Sequence, residues 1–125
     1  MKKVIHTDRA PEAIGTYSQG VYAGKLLFTS GQIGIKPGTS ELCSDEFHHQ
    51  ARQVFENLLA IAQEAGKDLS HVVKMTVYMK DLNDFSELNE VMESYFAKPY
   101  PARAAVEVAR LPKDCLIEID AIIQL

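Results

Sequence analysis

Three segments in the second half of the chain alternate so regularly that they dictate a sheet. In HVVKMTVYM (71–79), Val73, Met75, Val77 and Met79 fall on one side of an extended backbone. Ala102, Ala104, Val106 and Val108 do the same, and so do Ile117, Ile119, Ala121 and Ile123. Successive side chains of a strand point to opposite faces, so each set is an apolar surface that has to be covered. The cover is also in the sequence. Phe47, Ala51, Val54, Phe55, Leu58, Ala62 and Ala65 recur at steps of three and four, which is one face of a helix. A second helix is expected from about Asp81–Asn83, burying Phe85, Leu88, Val91, Met92 and Tyr95, with Pro99 and Pro101 to stop it.

Ser44 is placed to cap the first helix, Asp45 and Glu46 suit its positive end, and Gly66 can end it. Ahead of it, KVIHT (3–7) reads as a short strand. A hairpin is expected about Ala23-Gly24-Lys25, between strands near 21–23 and 26–33. The strands at 102–110 and 115–123 are joined by the turn LPKD. The order is β-β-β-α-β-α-β-β over residues 1–125, one α+β domain in which two helices pack on one face of a single mixed sheet. A chain of this length buries roughly two thirds of its unfolded surface, enough for a proper core.

The other faces of the last three strands are mixed. They carry Val72, Lys74, Thr76 and Tyr78; then Arg103, Ala105, Glu107 and Ala109; then Leu116, Glu118, Asp120 and Ile122. Arg103 and Glu118 are thus expected away from the helices, on one side of the sheet. Two helices cover only one face, and the other is too apolar to be left wet, so it predicts a subunit interface and an oligomer.

The net charge of −4, without a local run of Lys or Arg, gives no broad attraction for a phosphate backbone, so nucleic acid is not the expected partner. No apolar run reaches membrane-span length, and no apolar segment follows Lys2 and Lys3, so a cytoplasmic protein is expected. Cys43 and Cys115 read as reduced thiols rather than nucleophiles. The chain has no Walker A, GxGxxG, HExxH or CxxC motif, and His6, His48, His49 and His71 lack ligand spacing, so no metal site is expected.

What remains is charge on a half-buried sheet face. Arg103 can pair with Glu107 or Glu118 as a structural ion pair, although burying such a pair costs several kcal/mol of desolvation. Alternatively its planar fork holds a small carboxylate bidentately, leaving Glu118 to handle a water or a proton. GTYSQGV (15–21) and FTSGQIG (28–34) combine small residues with hydroxyls, and the backbone N–H of Gly31 can meet a ligand oxygen.

AIGTYSQGV, LLFTSGQIG, HVVKMTVYMKDLNDFSELNEV, YPARAAVEVARLPKD and IEIDAI, in this order, resemble the RidA (YjgF) family of reactive-intermediate deaminases, from about Val4 to Gln124. The resemblance implies a chorismate-mutase-like α+β fold assembled as a homotrimer with sites between subunits. It also implies hydrolysis of 2-imino acids (2-iminobutanoate, 2-iminopropanoate) to 2-oxo acids and ammonia, without metal or cofactor. By the same resemblance Arg103 holds the substrate carboxylate and Glu118 positions or activates water. Tyr17, Ser30, Gly31 and Asn89 match residues lining the pocket, Gly31 through its backbone. Many members carry cysteine two residues after the arginine; here it is Ala105, whose N–H survives the change while any thiol-dependent role is lost. A module that binds a 2-oxo acid without turnover is the competing expectation, and in it Glu118 is dispensable.

Overall fold

The alternating segments become neighbours in one sheet in the computed structural model, which describes all 125 residues. The strands are β1 (Lys3–Ile5), β2 (Gly20–Ala23), β3 (Leu26–Thr29), β4 (Val72–Met79), β5 (Ala102–Glu107) and β6 (Ile117–Gln124). Their order is β1-β2-β3-β6-β4-β5, antiparallel throughout except for the parallel pair β4 and β5. A parallel neighbour needs a crossover, and α2 (Phe85–Tyr95) supplies it; α1 (Phe47–Glu64) links β3 to β4. The two helices share one face of this mixed sheet, as expected from the sequence. No helix is long and apolar enough to cross a membrane.

The core lies between helices and sheet. Phe47, Ala51, Val54, Phe55, Leu58 and Ala62 are buried on α1, and Ile117, Ile119, Ala121 and Ile123 on β6. Gly66 ends α1 as expected. It adopts φ +75, its N–H bonds to Gln63 O, and that of Lys67 bonds to Ala62 O, a Schellman closure. The start differs: α1 begins at Phe47 after Glu46, with no side-chain cap, so Asp45 and Glu46 precede the first turn. The Ser44 hydroxyl accepts instead from the Glu46 N–H at 3.0 Å, which tightens the entry turn rather than the helix. Strands β3 and β5 stop short of the expected 33 and 110.

Two facial assignments change. On β4 a register shift between Val72 and Lys74 rotates the strand's start, so Val72 enters the core and Val73 is left 40% exposed. On β5 the expectation is inverted. Met75 pairs with Arg103, Val77 with Ala105 and Met79 with Glu107, and these β4 residues are core. Arg103, Ala105 and Glu107 therefore face the helices, whereas Ala102, Ala104 and Val106 face the open side.

Candidate active site

Arg103 does not share a face with Glu118. It rises on the helix side of edge strand β5, against α2. Phe85, Asn89 and Met92 of that helix are spaced i, i+4, i+7 and so form one stripe. Arg103 Nη1 donates to Asn89 Oδ1 over 2.7 Å and contacts Met92 Sδ at 3.3 Å, while its Cζ sits 4.8 Å from the centre of the Phe85 ring. The carboxylate contacts of the chain's histidines and of Arg110 do not include Arg103. Glu107, the nearest candidate partner by sequence, accepts the Leu82 N–H at 3.0 Å instead. The structural ion pair is thus absent, and the guanidinium is held by a neutral amide and an aromatic face.

Glu118 pairs in register with Tyr78 on the opposite, open face. It is half-buried, and burial raises its carboxyl above the ordinary range, with the neighbouring Asp120 charge adding to the rise. Asp120 is itself raised by burial, against the lowering effect of the Tyr78 hydroxyl that donates to it at 3.3 Å. A carboxyl so tuned is a better proton acceptor from water than an ordinary surface glutamate.

Beside Glu118 lies Gly31. A Cβ there would collide with the Glu118 carboxylate and stand 2.8 Å from its Cδ, so glycine is what lets loop and side chain approach. The approach is fixed by a reciprocal pair of backbone bonds, Gln32 N–H to Ile119 O at 2.8 Å and Ile119 N–H to Gln32 O at 3.0 Å. Behind them Asn57 of α1, fully buried, donates to Ile33 O and Ile35 O at 3.2 and 3.0 Å. Tyr17, Gly31, Gln32, Ile33, Lys113 and Glu118 line a cleft of about 720 Å³. Its rim is anchored by buried Gln19, whose amide accepts from Thr7 N–H and donates to Thr7 O and Pro11 O, between 2.7 and 3.0 Å.

The seven residues singled out from the sequence therefore form two groups. Tyr17, Gly31 and Glu118 share the cleft, with Ser30 adjacent, its hydroxyl donating to Ser18 O at 2.5 Å. Arg103, Asn89 and Ala105 gather at the sheet's other edge, where Ala105 packs partly buried on the core. From the sequence Phe85 and Met92 read as plain core, and the asparagine within their apolar stripe is the signal that they do more. Lys113, unmarked by any motif, also lines the cleft, and with Asp114 it adopts left-handed backbone (φ 57 and 53). Burial raises the thiol of Cys43 and pushes Cys115 up to about 11, so neither is a ready thiolate. No three His, Cys, Asp or Glu side chains converge as metal ligands.

The chain is similar to known proteins along nearly its whole length. The family model described as Endoribonuclease L-PSP matches residues 7–125. TdcF of Escherichia coli K12, whose name proposes a reactive intermediate deaminase, is 50% identical over 125 residues, covering 98% of this chain and 96% of TdcF. The chain belongs to the RidA (YjgF) family. A RutC family protein of Pyrococcus horikoshii is 55% identical over 122 residues, 98% of this chain and 97% of that one. RidA of an Antarctic Psychrobacter superposes with a TM-score of 0.94 at 50% identity, over 98% of this chain and 99% of its own. The E. coli TdcF structure with bound serine gives 0.93 at 48% identity, over 99% of each chain. Reactive-intermediate deamination is the activity that the name of TdcF gives for that relative within the family.

Proposed function

We propose that the protein hydrolyses small 2-imino acids, 2-iminobutanoate and 2-iminopropanoate, to the 2-oxo acid and ammonia, at a site shared by two subunits of a homotrimer. The observation that carries this is Arg103: a cation with no carboxylate of its own, preset by Asn89 and Phe85 to receive one. That TdcF has been crystallised with serine, a small carboxylate-bearing molecule, agrees with such a ligand.

In the reaction Glu118 takes a proton from water as its oxygen bonds to the imine carbon. Glu118 returns that proton to the carbinolamine nitrogen. The C–N bond then breaks as the hydroxyl loses its own proton and becomes the carbonyl, so that nitrogen leaves as ammonia and one proton is released, together an ammonium ion. A protonated imine is already electrophilic, so orientation supplies much of the rate, up to several kcal/mol of barrier. A general base adds roughly 10²–10⁴-fold. The step as written uses water, the substrate and side chains of the two subunits.

The opposite facing of Arg103 and Glu118 argues for sharing between subunits. So does the open face, where Val4, Phe28 and Val106 are 52%, 41% and 43% exposed around the half-buried Glu118 and Asp120. A second copy that covers this face can bring its own Arg103 edge to the Glu118 cleft.

Mixing two dead variants tests both parts. Arg103→Ala and Glu118→Gln proteins, unfolded together and refolded, should regain imine hydrolysis in an assay coupled to a threonine dehydratase. In a ring with two-chain sites, random mixing leaves about one site in four intact. No acceleration by the unmodified protein over buffer would overturn the activity; no recovery on mixing would overturn the sharing.

A further inference from the structure

We infer that Phe85, Asn89 and Met92 are positioning residues that orient Arg103, so that it meets a carboxylate side-on, through Nε–H and one Nη2–H. This rests on the reading of Arg103 as the carboxylate anchor and deepens it.

A guanidinium has five N–H groups in a fixed plane. Nη1 is engaged twice, by Asn89 Oδ1 at 2.7 Å and by Met92 Sδ at 3.3 Å. The Cζ of Arg103 lies over the ring of Phe85, 4.8 Å from the ring centre. The Nε–H and the two Nη2–H groups have no protein partner. Of the two edges able to grip a carboxylate with parallel bonds, the Nη1–Nη2 edge is half taken, and the Nε–Nη2 edge is free.

The platform is firm. Met92 is buried and Phe85 packs on the core, so α2 fixes the stripe before any ligand arrives. A free arginine side chain would lose much rotamer freedom on gripping a ligand, and a held one loses less. The holder's neutrality matters too. Aspartate at position 89 would also grip Nη1 but would neutralise the cation; asparagine holds it and leaves the charge for the ligand.

The experiment follows the guanidinium of Arg103 by ¹⁵N NMR and titrates the protein with 2-oxobutanoate. In the unmodified protein without ligand, rotation of the Arg103 group should be slow and its Nη signals distinct. Asn89→Ala and Phe85→Leu should let it rotate freely and weaken 2-oxobutanoate about tenfold or more, the scale of one charge-assisted hydrogen bond. Asn89→Asp should keep rotation slow yet weaken binding at least as much. Free rotation of Arg103 in the unmodified protein, or unchanged affinity in both Asn89 variants, would overturn the inference.

The two readings fail separately. Slow rotation and Arg103-dependent binding without imine hydrolysis would leave this arrangement standing and remove the activity. Hydrolysis with a freely rotating Arg103 would do the reverse.

Discussion

Arg103 and Glu118 leave one six-stranded sheet from opposite faces, Arg103 paired in register with buried Met75 and Glu118 with Tyr78. A site that uses both must take them from different copies, so turnover should fall as protein is diluted through the dissociation range. Specific activity measured against concentration, alongside light scattering, checks this; activity undiminished in demonstrably monomeric protein contradicts it.

Arg103→Lys keeps the charge and loses the fork. We expect kcat/KM to fall by about 10- to 100-fold, in line with about 1.5–3 kcal/mol for a hydrogen bond to a charged group. Steady-state kinetics on the coupled dehydratase assay measures it, and Arg103→Ala should be worse.

Glu118 has two pH signatures, because its folded carboxyl titrates above the ordinary range. As a base it must be ionised, so the rate should drop as pH falls through that raised value, and Glu118→Gln should lose the turnover that carries this limb. For stability the sign is opposite to that of a salt-bridged acid. A raised folded pKa contributes stability below the unfolded pKa, and the contribution is lost as pH rises through the folded one. Glu118→Gln should therefore melt higher than the unmodified protein at neutral pH and no higher in acid.

Gly31→Ala tests the approach of loop to carboxylate. Its backbone is not in the left-handed region, so the harm is steric, directed at Glu118. Overpacking of this kind costs about 1–3 kcal/mol. Much of that loss should disappear in the double variant with Glu118→Ala, as denaturant melts of the four proteins would show.

Asn57→Leu should fold less stably by about 1–3 kcal/mol, because the carbonyl of Ile35 loses its partner, whereas that of Ile33 keeps the Ile35 N–H at 2.8 Å. Urea titration reads the loss. An unchanged midpoint would mean that the loop finds other donors.

The elements whose information is local were legible. The α1 stripe and the alternation of β6 appear as read, because core covers them along their whole length. Strand β5 was not, since periodicity sorts residues into two sets without saying which set faces the helices. On an edge strand carrying Ala and Val in one set and Arg, Ala and Glu in the other, polarity favours the wrong choice. Only the register with β4 decides it, and register is a long-range quantity. The bulge that exposes Val73 left no mark either. Gln19, Gln50 and Asn57 belong to no apolar pattern yet are buried, because each serves loop backbone that has no strand partner.

Gln19 also determines where a protease would meet the chain. Its amide ties residues 7 to 11 to the sheet, while Glu12, Ile14, Gly15, Thr16 and Tyr17 stand exposed beyond that anchor. A nick should fall in this stretch, and chymotrypsin should choose Tyr17. Cut there, the protein would keep its core and its β1 pairing through Gln19 and surrender only the rim of the cleft, a lesion invisible to melting curves and plain in turnover.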